Sequence, residues 1–291
     1  MYCSVYIIME TKKTKIIVPV HIGGYPVDMD AIMEIAKKHN LVVIEDDAQC
    51  FLGRYKGQSA GTIGHMSSFS FQASKHLTSG EGGMVTTNDD ELALQLRRFS
   101  GLGYGSITMK KARITKDDIQ NPAYERHIQL GWNYRMSDVV GAVALAQTER
   151  MEELCDMRKA SGKIIEEAAA GCDWLIPQYT PEECEHAYWA VAMRMANSDI
   201  TWYDFRKKFM ELGGDGIYAA WMLSYNEPAF RNKTFYGREK LFEGYTYEKG
   251  LCPVAEMIQP QLLQFKTNYF DTDEAEAQAE ILRKTIAYYG K

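Results

Sequence analysis

The segment Leu41-Val42-Val43-Ile44-Glu45-Asp46-Asp47-Ala48-Gln49 sets four apolar residues directly before three acids and a glutamine. A short apolar run of this kind predicts a buried strand, because strands covered on both faces read as continuous apolar sequence. The polar residues then follow at the carboxyl end of that strand. In open parallel sheets, ligands bind beyond the carboxyl ends of the strands, so the segment indicates both a fold class and the location of a site.

Alternating strand and helix patterns surround this segment. Apolar runs predict three further strands: Ile16 to Val20, Ser68 to Phe71 and Met84 to Thr87. Asp28 and Asp89 each stand before a stretch whose apolar residues recur at helical spacing, so both are suited to cap helices. Strands that alternate with helices in this way predict an α/β fold with a mostly parallel sheet.

The pattern changes in the second half of the chain. Gly101 to Gln129 is polar and irregular and predicts a long loop, and Ser137 begins a long helical region with an apolar stripe. Further along, the sequence predicts a strand, a helix, a glycine-rich loop and a last helix: Ala187 to Met195, Trp202 to Leu212, Gly213 to Asn232, and a helix that begins near Asp271. We predict two domains, residues 1–157 and 158–291, with the boundary inside the long helical region.

Composition narrows the class of protein. The 291 residues are 46% hydrophobic and 25% charged, as in soluble globular proteins, and the net charge of −6 argues against a general binder of nucleic acid. No apolar run approaches the roughly 18 residues of a membrane span. The six cysteines include no C-x-x-C pair. We expect them to be reduced thiols of a cytoplasmic protein without a metal site.

A second segment, Ser67 to Gly83, begins with the strand predicted at Ser68 to Phe71 and then carries Lys75. Pyridoxal phosphate needs a lysine for its Schiff base, a carboxylate for its pyridinium nitrogen and donors for its phosphate. An acid at one strand end, followed by a serine and a lysine after the next, supplies these groups. Taken alone, the acids after a strand are also explained as helix caps or solvated side chains, and the lysine as a solvated side chain. Taken together, the two segments indicate this cofactor.

Four ordered motifs resemble the DegT/DnrJ/EryC1/StrS aminotransferase family: Glu45-Asp46-x-Ala48-Gln49, Ser68-Phe69-Ser70-Phe71-x-x-x-Lys75, Thr78-x-Gly80-Glu81-Gly82-Gly83 and Gly131-x-Asn133-Tyr134-Arg135-Met136. The resemblance implies the aspartate-aminotransferase-like fold, fold type I of the pyridoxal-phosphate-dependent transferases. That fold has a large, mostly parallel α/β domain and a small α+β C-terminal domain. The resemblance also implies transfer of an amino group from glutamate or glutamine to a nucleotide-linked keto sugar or a keto cyclitol.

The resemblance assigns roles to five residues. Lys75 becomes the Schiff-base lysine, and Asp46 becomes the partner of the pyridinium nitrogen. Gln49 is expected against the ring or its 3-oxygen, and Ser70 is expected to donate to the phosphate. Asn133 is expected to reach the phosphate of the neighbouring subunit, which implies a homodimer with shared active sites.

Three further residues are candidates for contact with the substrate. His21 follows a predicted strand and either faces the substrate or is a structural histidine. Arg135 either binds a substrate carboxylate or phosphate or forms a structural ion pair. Tyr218 ends the glycine-rich stretch Gly213 to Tyr218, which is expected near the substrate by analogy with a family position.

The chain differs from the family pattern at its front. Family members carry more sequence before the strand that matches Ile16 to Val20, including a phosphate-binding turn and an aromatic ring that stacks on the cofactor. We therefore expect an N-terminally incomplete cofactor domain. The alternatives are a truncated product, one part of a split enzyme, or a catalytically weak or inactive member with a binding or regulatory role. A pyridoxal-phosphate-dependent sugar dehydratase is a further alternative, although the known dehydratase relatives replace the lysine at Lys75 with histidine.

Overall fold

The computed structural model describes residues 12–111 and 114–290, so that Cys3 and the apolar start of the chain lie outside the described residues. It divides into two compact units. The first extends through Asp156 and also takes in Thr180–Trp189, and the second comprises Met157–Tyr179 and the chain from Ala190 onward. The return of Thr180–Trp189 to the first unit had no signal in the sequence.

Most of the predicted elements form, with ends displaced by one to a few residues. The strands are β1 (Ile16–Ile17), β2 (Val42–Asp46), β3 (Arg54–Tyr55), β4 (Gln58–Ser59), β5 (Met66–Ser70), β6 (Gly83–Thr86), β7 (Leu175–Pro177), β8 (Cys184–Glu185), β9 (Ala190–Met195), β10 (Tyr218–Ala219) and β11 (Leu262–Lys266). The helices are α1 (Met29–His39), α2 (Asp90–Ser100), α3 (Lys116–Gln120), α4 (Asp138–Thr148), α5 (Met151–Ala168), α6 (Trp202–Glu211), α7 (Pro228–Arg231), α8 (Pro253–Ile258) and α9 (Thr272–Tyr289). Short 3-10 turns occupy Ile22–Gly24, Ser224–Asn226, Glu239–Phe242 and Gln259–Gln261.

Three of the longer predictions need correction. The stretch expected to be a glycine-rich loop, Gly213 to Asn232, contains β10, a 3-10 turn and α7. The stretch expected to be a loop, Gly101 to Gln129, contains α3, which Thr115 caps by accepting a hydrogen bond from the backbone N–H of Asp118. The helical region that follows Ser137 is two helices, α4 and α5, which are interrupted at Glu149 and Arg150. The stripe of apolar residues continues across that interruption, so its spacing alone did not reveal the break.

The main sheet of the first unit has the order β1-β2-β5-β6. β1, β2 and β5 are parallel, and β6 runs antiparallel to β5. The predicted mostly parallel α/β sheet is therefore confirmed. Asp46 at the end of β2 pairs with Ser68 of β5, which fixes the register between the two strands that carry the motifs.

Helix α1 covers this sheet and begins and ends as its sequence predicts. Asp28 caps it by accepting a hydrogen bond from the backbone N–H of Ala31, and Asn40 ends it in the left-handed conformation at φ 53°. Its buried residues are Met29, Ile32, Ile35 and Ala36. Part of this face packs in one cluster with Val43 of β2, so the helix stabilises the strand that ends in the acids.

Strand β2 alternates between a buried and a half-buried face, and Glu45 lies on the buried one. Its carboxylate accepts hydrogen bonds from the backbone N–H groups of Gly61, Ile63 and Gly64 at 2.8, 2.8 and 2.5 Å, and contacts Nε2 of His21 at 3.1 Å. Because side chains alternate along a strand, burying Glu45 directs Asp46 to the opposite, open face.

The buried carboxylate of Glu45 is ionised. Burial alone raises its pKa, but the hydrogen bonds from His21 and the three backbone N–H groups outweigh burial and hold the pKa below its usual value. Gly61 is needed at this turn, since it adopts φ +81° and a Cβ there would stand 2.6 Å from the ring of Phe69. The carboxylate of Glu45 in β2 thus holds the turn from Gly61 to Gly64 and the ring of His21 in place.

The second unit has its own antiparallel sheet, in the order β10-β11-β9-β7. Strands β7, β10 and β11 had not been predicted. Its buried residues include members of the sheet and of helices α5, α6 and α9, among them Ile165, Phe205, Phe209, Leu263 and Leu282. This mixture of helices and an antiparallel sheet is the predicted α+β architecture.

Replacing Glu45 by alanine should destabilise the first unit strongly. The Glu45→Ala change leaves several buried donors without an acceptor, so we expect a loss of unfolding free energy on the order of 3–5 kcal/mol. Urea unfolding followed by circular dichroism at pH 7 measures it. Glu34→Ala on the exposed face of α1 is the matched control and should change the value by less than about 0.5 kcal/mol. Equal small losses in the two variants would contradict this account of Glu45.

Candidate active site

The carboxyl ends of β2 and β5 bring three polar side chains to one face of the sheet. Asp46 is the last residue of β2, and Ser70 is the last residue of β5. Since Asp46 pairs with Ser68, these two side chains share a face, and Ser70 lies two residues further along on that same face. All three are half-buried, so this face is open to a ligand.

The segment from Pro19 to His21 holds the backbone of Asp46 at both its N–H and its carbonyl. The N–H of Asp46 donates to the carbonyl of Pro19 at 2.8 Å, and its carbonyl accepts from the N–H of His21 at 3.0 Å. One carboxylate oxygen, Oδ1, accepts from the N–H of Ala48 at 3.2 Å. The other oxygen accepts no hydrogen bond within the described parts of the chain, so it is available as an acceptor at the open face.

Gln49 is nearly buried beyond the end of β2. Its Oε1 accepts a hydrogen bond from the backbone N–H of Gly23 at 2.7 Å, in the turn Ile22–Gly24. The side-chain oxygen is therefore occupied by a hydrogen bond within the protein. The amide nitrogen is the group that Gln49 offers to a ligand.

Lys75 lies on a compact loop that starts at the end of β5. Its backbone N–H donates to the carbonyl of Gln72 at 3.0 Å. The Gln72 side chain accepts from both the N–H and the hydroxyl of Ser74, and the hydroxyl of Ser70 accepts from the N–H of Gln72 at 3.3 Å. These short-range bonds place the predicted lysine and the predicted serine on one ordered turn.

Two residues that the sequence did not single out, Ala187 and Trp189, contact this loop from a distant part of the chain. Nε2 of His76 lies 2.8 Å from the carbonyl oxygen of Ala187, and Nε1 of Trp189 donates to the carbonyl of Ser74 at 3.0 Å. The amine of Lys75 lies 4.9 Å from the centre of the Trp189 ring. Nothing local in the sequence could have indicated these contacts, because they join residues more than 100 positions apart.

His21 lies in the interior of the protein and not at a surface that a substrate could reach. The ring is fully buried, and its Nδ1 accepts the N–H of Val27 at 3.1 Å. An acceptor at Nδ1 leaves the proton on Nε2, which faces the carboxylate of Glu45. Both nitrogens are therefore used inside the protein, and the structural role is the one that the geometry supports.

The structure places the remaining predicted residues, Asn133, Arg135 and Tyr218, in exposed positions. Asn133 and Arg135 are exposed, and Nε of Arg135 donates to Oδ1 of Asn133 at 2.9 Å. Within residues 12–111 and 114–290, no carboxylate lies within ion-pair distance of the Arg135 guanidinium, so the structural ion pair considered for Arg135 does not form there. Tyr218 lies in β10 of the second unit with an exposed side chain.

Asp47 is a buried carboxyl group of a different kind from its neighbours. It is fully buried, and within the described residues neither of its oxygens has a hydrogen-bond partner. Burial, with smaller contributions from the charges of Glu45 and Asp46, raises the pKa of Asp47 to about 9. Asp47 is therefore protonated at neutral pH.

Across residues 12–111 and 114–290, no helix combines the length and apolarity that crossing a bilayer requires. The same residues hold no cluster of three or more histidine, cysteine or acidic side chains that could bind a metal ion. The five cysteines in this part of the chain are free thiols.

Comparison with known proteins finds similarity along most of the chain. A model of the DegT/DnrJ/EryC1/StrS aminotransferase family matches residues 9–279. A GDP-perosamine synthase of Caulobacter vibrioides is 35% identical over 195 residues, which are 67% of this chain and 48% of that protein. An aminotransferase from Psychrobacter cryohalolentis superimposes with a TM-score of 0.82 at 28% identity, covering 99% of this chain and 73% of the other. The structure of S. venezuelae DesV in complex with a ketimine intermediate gives 0.79 at 23% identity, with 98% and 69% covered.

These similarities confirm the predicted fold class. Solved structures with the same fold include the PMP form and the PLP form of the protein Spr1654 from Streptococcus pneumoniae. The chain spans about half the length of the curated relatives it matches, namely 48%, 60% and 46% of three of them.

The protonation of Asp47 should make stability depend on pH. Its carboxyl group ionises near pH 3.9 in the unfolded chain and only near pH 9 in the folded protein, so folding takes up a proton between these values. Stability therefore falls as pH rises from about 4 to about 9. Asp47→Asn removes this cost, and its advantage over the natural protein should widen by up to about 1.4 kcal/mol per pH unit.

Urea unfolding at pH 5, 6, 7 and 8 measures this widening. Asp90→Asn, at an exposed acid of α2, is the control and should run parallel to the natural protein. A constant difference between Asp47→Asn and the natural protein across the four pH values would show that Asp47 is ionised when folded.

Proposed function

Because the chain belongs to the DegT/DnrJ/EryC1/StrS aminotransferase family, we propose that it transfers an amino group from glutamate or glutamine to a nucleotide-linked keto sugar with pyridoxal phosphate as cofactor. The observation that carries this proposal is the shared face at the carboxyl ends of β2 and β5. It holds the carboxylate of Asp46 and the hydroxyl of Ser70, and the loop that carries Lys75 begins there.

The side chains at this face fit the cofactor by their chemistry. Asp46 keeps one carboxylate oxygen available, which suits it to hold the proton on the pyridine nitrogen. Ser70 supplies a hydroxyl donor for the phosphate, and Gln49 supplies its amide nitrogen near the ring. Lys75 supplies the amine for covalent attachment. When bound, pyridoxal phosphate supplies an electron sink for cleavage of the bond to the amino donor's α-proton.

Lys75 would act in two ways at this face. Its Nζ must be neutral to attach the cofactor and must lose that attachment when the amino donor arrives. Once released, the neutral amine takes the proton from the α-carbon of the donor as a general base. The compact loop between Gln72 and Thr78, which carries this amine, begins just beyond the end of β5.

The keto sugar is favoured over the other substrates and roles considered. GDP-perosamine synthases and sugar aminotransferases stand among the relatives, which favours a sugar over a cyclitol. Lys75 speaks against a sugar dehydratase, because those relatives carry histidine at this position. The motif residues Asp46, Gln49, Ser70 and Lys75 are all present and ordered, which speaks against a purely regulatory member.

We extend the proposal to a cytoplasmic homodimer. Asn133 is exposed, and its neighbours Leu130, Trp132 and Tyr134 expose large apolar side chains, up to 93% for Leu130. Exposed apolar surface of this kind is typical of protein interfaces. A second copy covering this stretch would bring Asn133 to the partner's cofactor phosphate. The free thiols and the acidic balance of the chain suit a reducing compartment without a nucleic-acid partner.

Covalent trapping tests the cofactor directly. The purified chain is mixed with pyridoxal phosphate, reduced with borohydride and digested, and we expect one dominant labelled peptide that contains Lys75. Lys75→Ala should lose this label, whereas Lys163→Ala, at an exposed lysine, should keep it. Labelling spread evenly over surface lysines would refute a specific cofactor site in this chain.

A substitution at Asp46 tests the reaction of the bound cofactor with the amino donor. Asp46→Asn cannot hold a proton on the pyridine nitrogen, so we expect the rate at which glutamate bleaches the bound cofactor's visible absorbance to fall by roughly 100-fold or more. Borohydride trapping on Lys75 should persist in this variant, which separates binding from catalysis. Asp90→Asn is the control, and an unchanged bleaching rate in Asp46→Asn would remove Asp46 from its proposed role.

A further inference from the structure

The loop that carries Lys75 is attached to a distant segment of the chain at three consecutive residues. Ser74 accepts a hydrogen bond at its carbonyl from Nε1 of Trp189, at 3.0 Å. Lys75 places its amine 4.9 Å from the centre of the Trp189 ring. His76, which is nearly buried, places Nε2 at 2.8 Å from the carbonyl oxygen of Ala187. Backbone, amine and imidazole thus each contact the segment between Ala187 and Trp189.

This segment is itself held firmly. The N–H of Ala187 donates to the carbonyl of Gly24 at 2.7 Å. Gly24 has φ +99°, and a Cβ there would stand 2.7 Å from the backbone nitrogen of Tyr188, so only glycine allows the approach. The segment is therefore a fixed support for the loop.

A sharp bend precedes Trp189. Tyr188 adopts φ 53°, an uncommon conformation for a bulky residue, and its buried ring stacks on His186 with 4.3 Å between ring centres. The N–H of Tyr188 donates to Nδ1 of His186 at 2.7 Å. Burial lowers the pKa of His186 to about 4, so this imidazole stays neutral and adds no positive charge to the segment at neutral pH.

We propose that Trp189 is a positioning residue for Lys75, whose indole N–H fixes the loop backbone at Ser74 and whose ring face holds the Lys75 ammonium while the amine is not attached to the cofactor. The negative face of an indole ring attracts an ammonium ion, and tryptophan does so more strongly than the other aromatic residues. The inference rests on the proposed function only in taking Lys75 as the residue that attaches the cofactor.

The two contacts of Trp189 have separable consequences. The ring face favours the charged amine, so it opposes loss of the Lys75 proton and keeps the released amine beside the loop. The N–H bond to Ser74 acts on the backbone and does not depend on the charge of Lys75. Trp189→Phe keeps a ring and removes the N–H, whereas Trp189→Leu removes both.

The reactivity of Lys75 in the cofactor-free chain tests the ring contact. Trace acylation with acetic anhydride at a series of pH values, read by mass spectrometry relative to Lys163, gives the pH midpoint at which Lys75 becomes reactive. We expect Trp189→Leu to lower this midpoint by roughly half a unit to one unit. Trp189→Phe should restore at least half of that shift. Greater exposure of the amine alone would raise the midpoint rather than lower it, because burial disfavours the charged form. His76 and His186 are common to all the variants.

A second measurement covers the case in which Trp189→Leu fails to fold. The chain with its natural sequence is labelled with 5-fluorotryptophan, and the resonance of Trp189 is identified by its loss in Trp189→Phe. We expect this resonance to shift as Lys75 titrates, and the shift to disappear in Lys75→Met. A Trp189 resonance that is the same in both chains across the titration would overturn the proposal, as would identical acylation midpoints in the natural, Phe and Leu chains.

These outcomes are separate from those of the proposed function. A shifted acylation midpoint with no borohydride trapping of pyridoxal phosphate would support the ring contact and reject the cofactor. Specific trapping on Lys75 with unshifted midpoints and an unresponsive fluorine resonance would support the cofactor and reject the role of Trp189.

Discussion

The buried carboxylate of Glu45 is the interaction on which the site depends. It accepts bonds from three backbone N–H groups of one turn and faces the ring of His21, so it joins the ends of two strands and the turn that leads to β5. A charge is costly to bury unless its bonds are satisfied, and here they are. Since neighbouring side chains on a strand face opposite ways, the inward position of Glu45 also gives Asp46 its outward one.

Three consecutive acids at the end of β2 therefore have three different states. Glu45 is buried among donors and is ionised, and Asp47 is buried without donors and is protonated. Asp46 stands between them on the open face, with one oxygen occupied by its own turn. The amino-acid type is nearly constant along these positions. Strand geometry and the placement of backbone N–H groups set the difference.

The sequence predicted the features that depend on near neighbours. Asp28, Asp89 and Ser137 cap helices through residues three positions away, and the motif residues lie on strand ends that their apolar runs reveal. Strands β7 and β11 were missed, because β7 has only three residues and both are stabilised by pairing with β9 in the second unit. Trp189 contacts residues more than 100 positions away, so the local sequence does not indicate its role. The sequence also does not decide between the two roles of His21, because that choice depends on its contacts with Glu45 and Val27.

The attachment of the lysine loop has a consequence for how the protein is made. Ser74 and Trp189 are 115 positions apart, and His76 and Ala187 are 111 apart. During synthesis the loop leaves the ribosome long before the segment that supports it, and contacts of such high sequence separation form late in folding. The strands of the first unit can pair early, but Lys75 acquires its final surroundings only after nearly two-thirds of the chain has emerged.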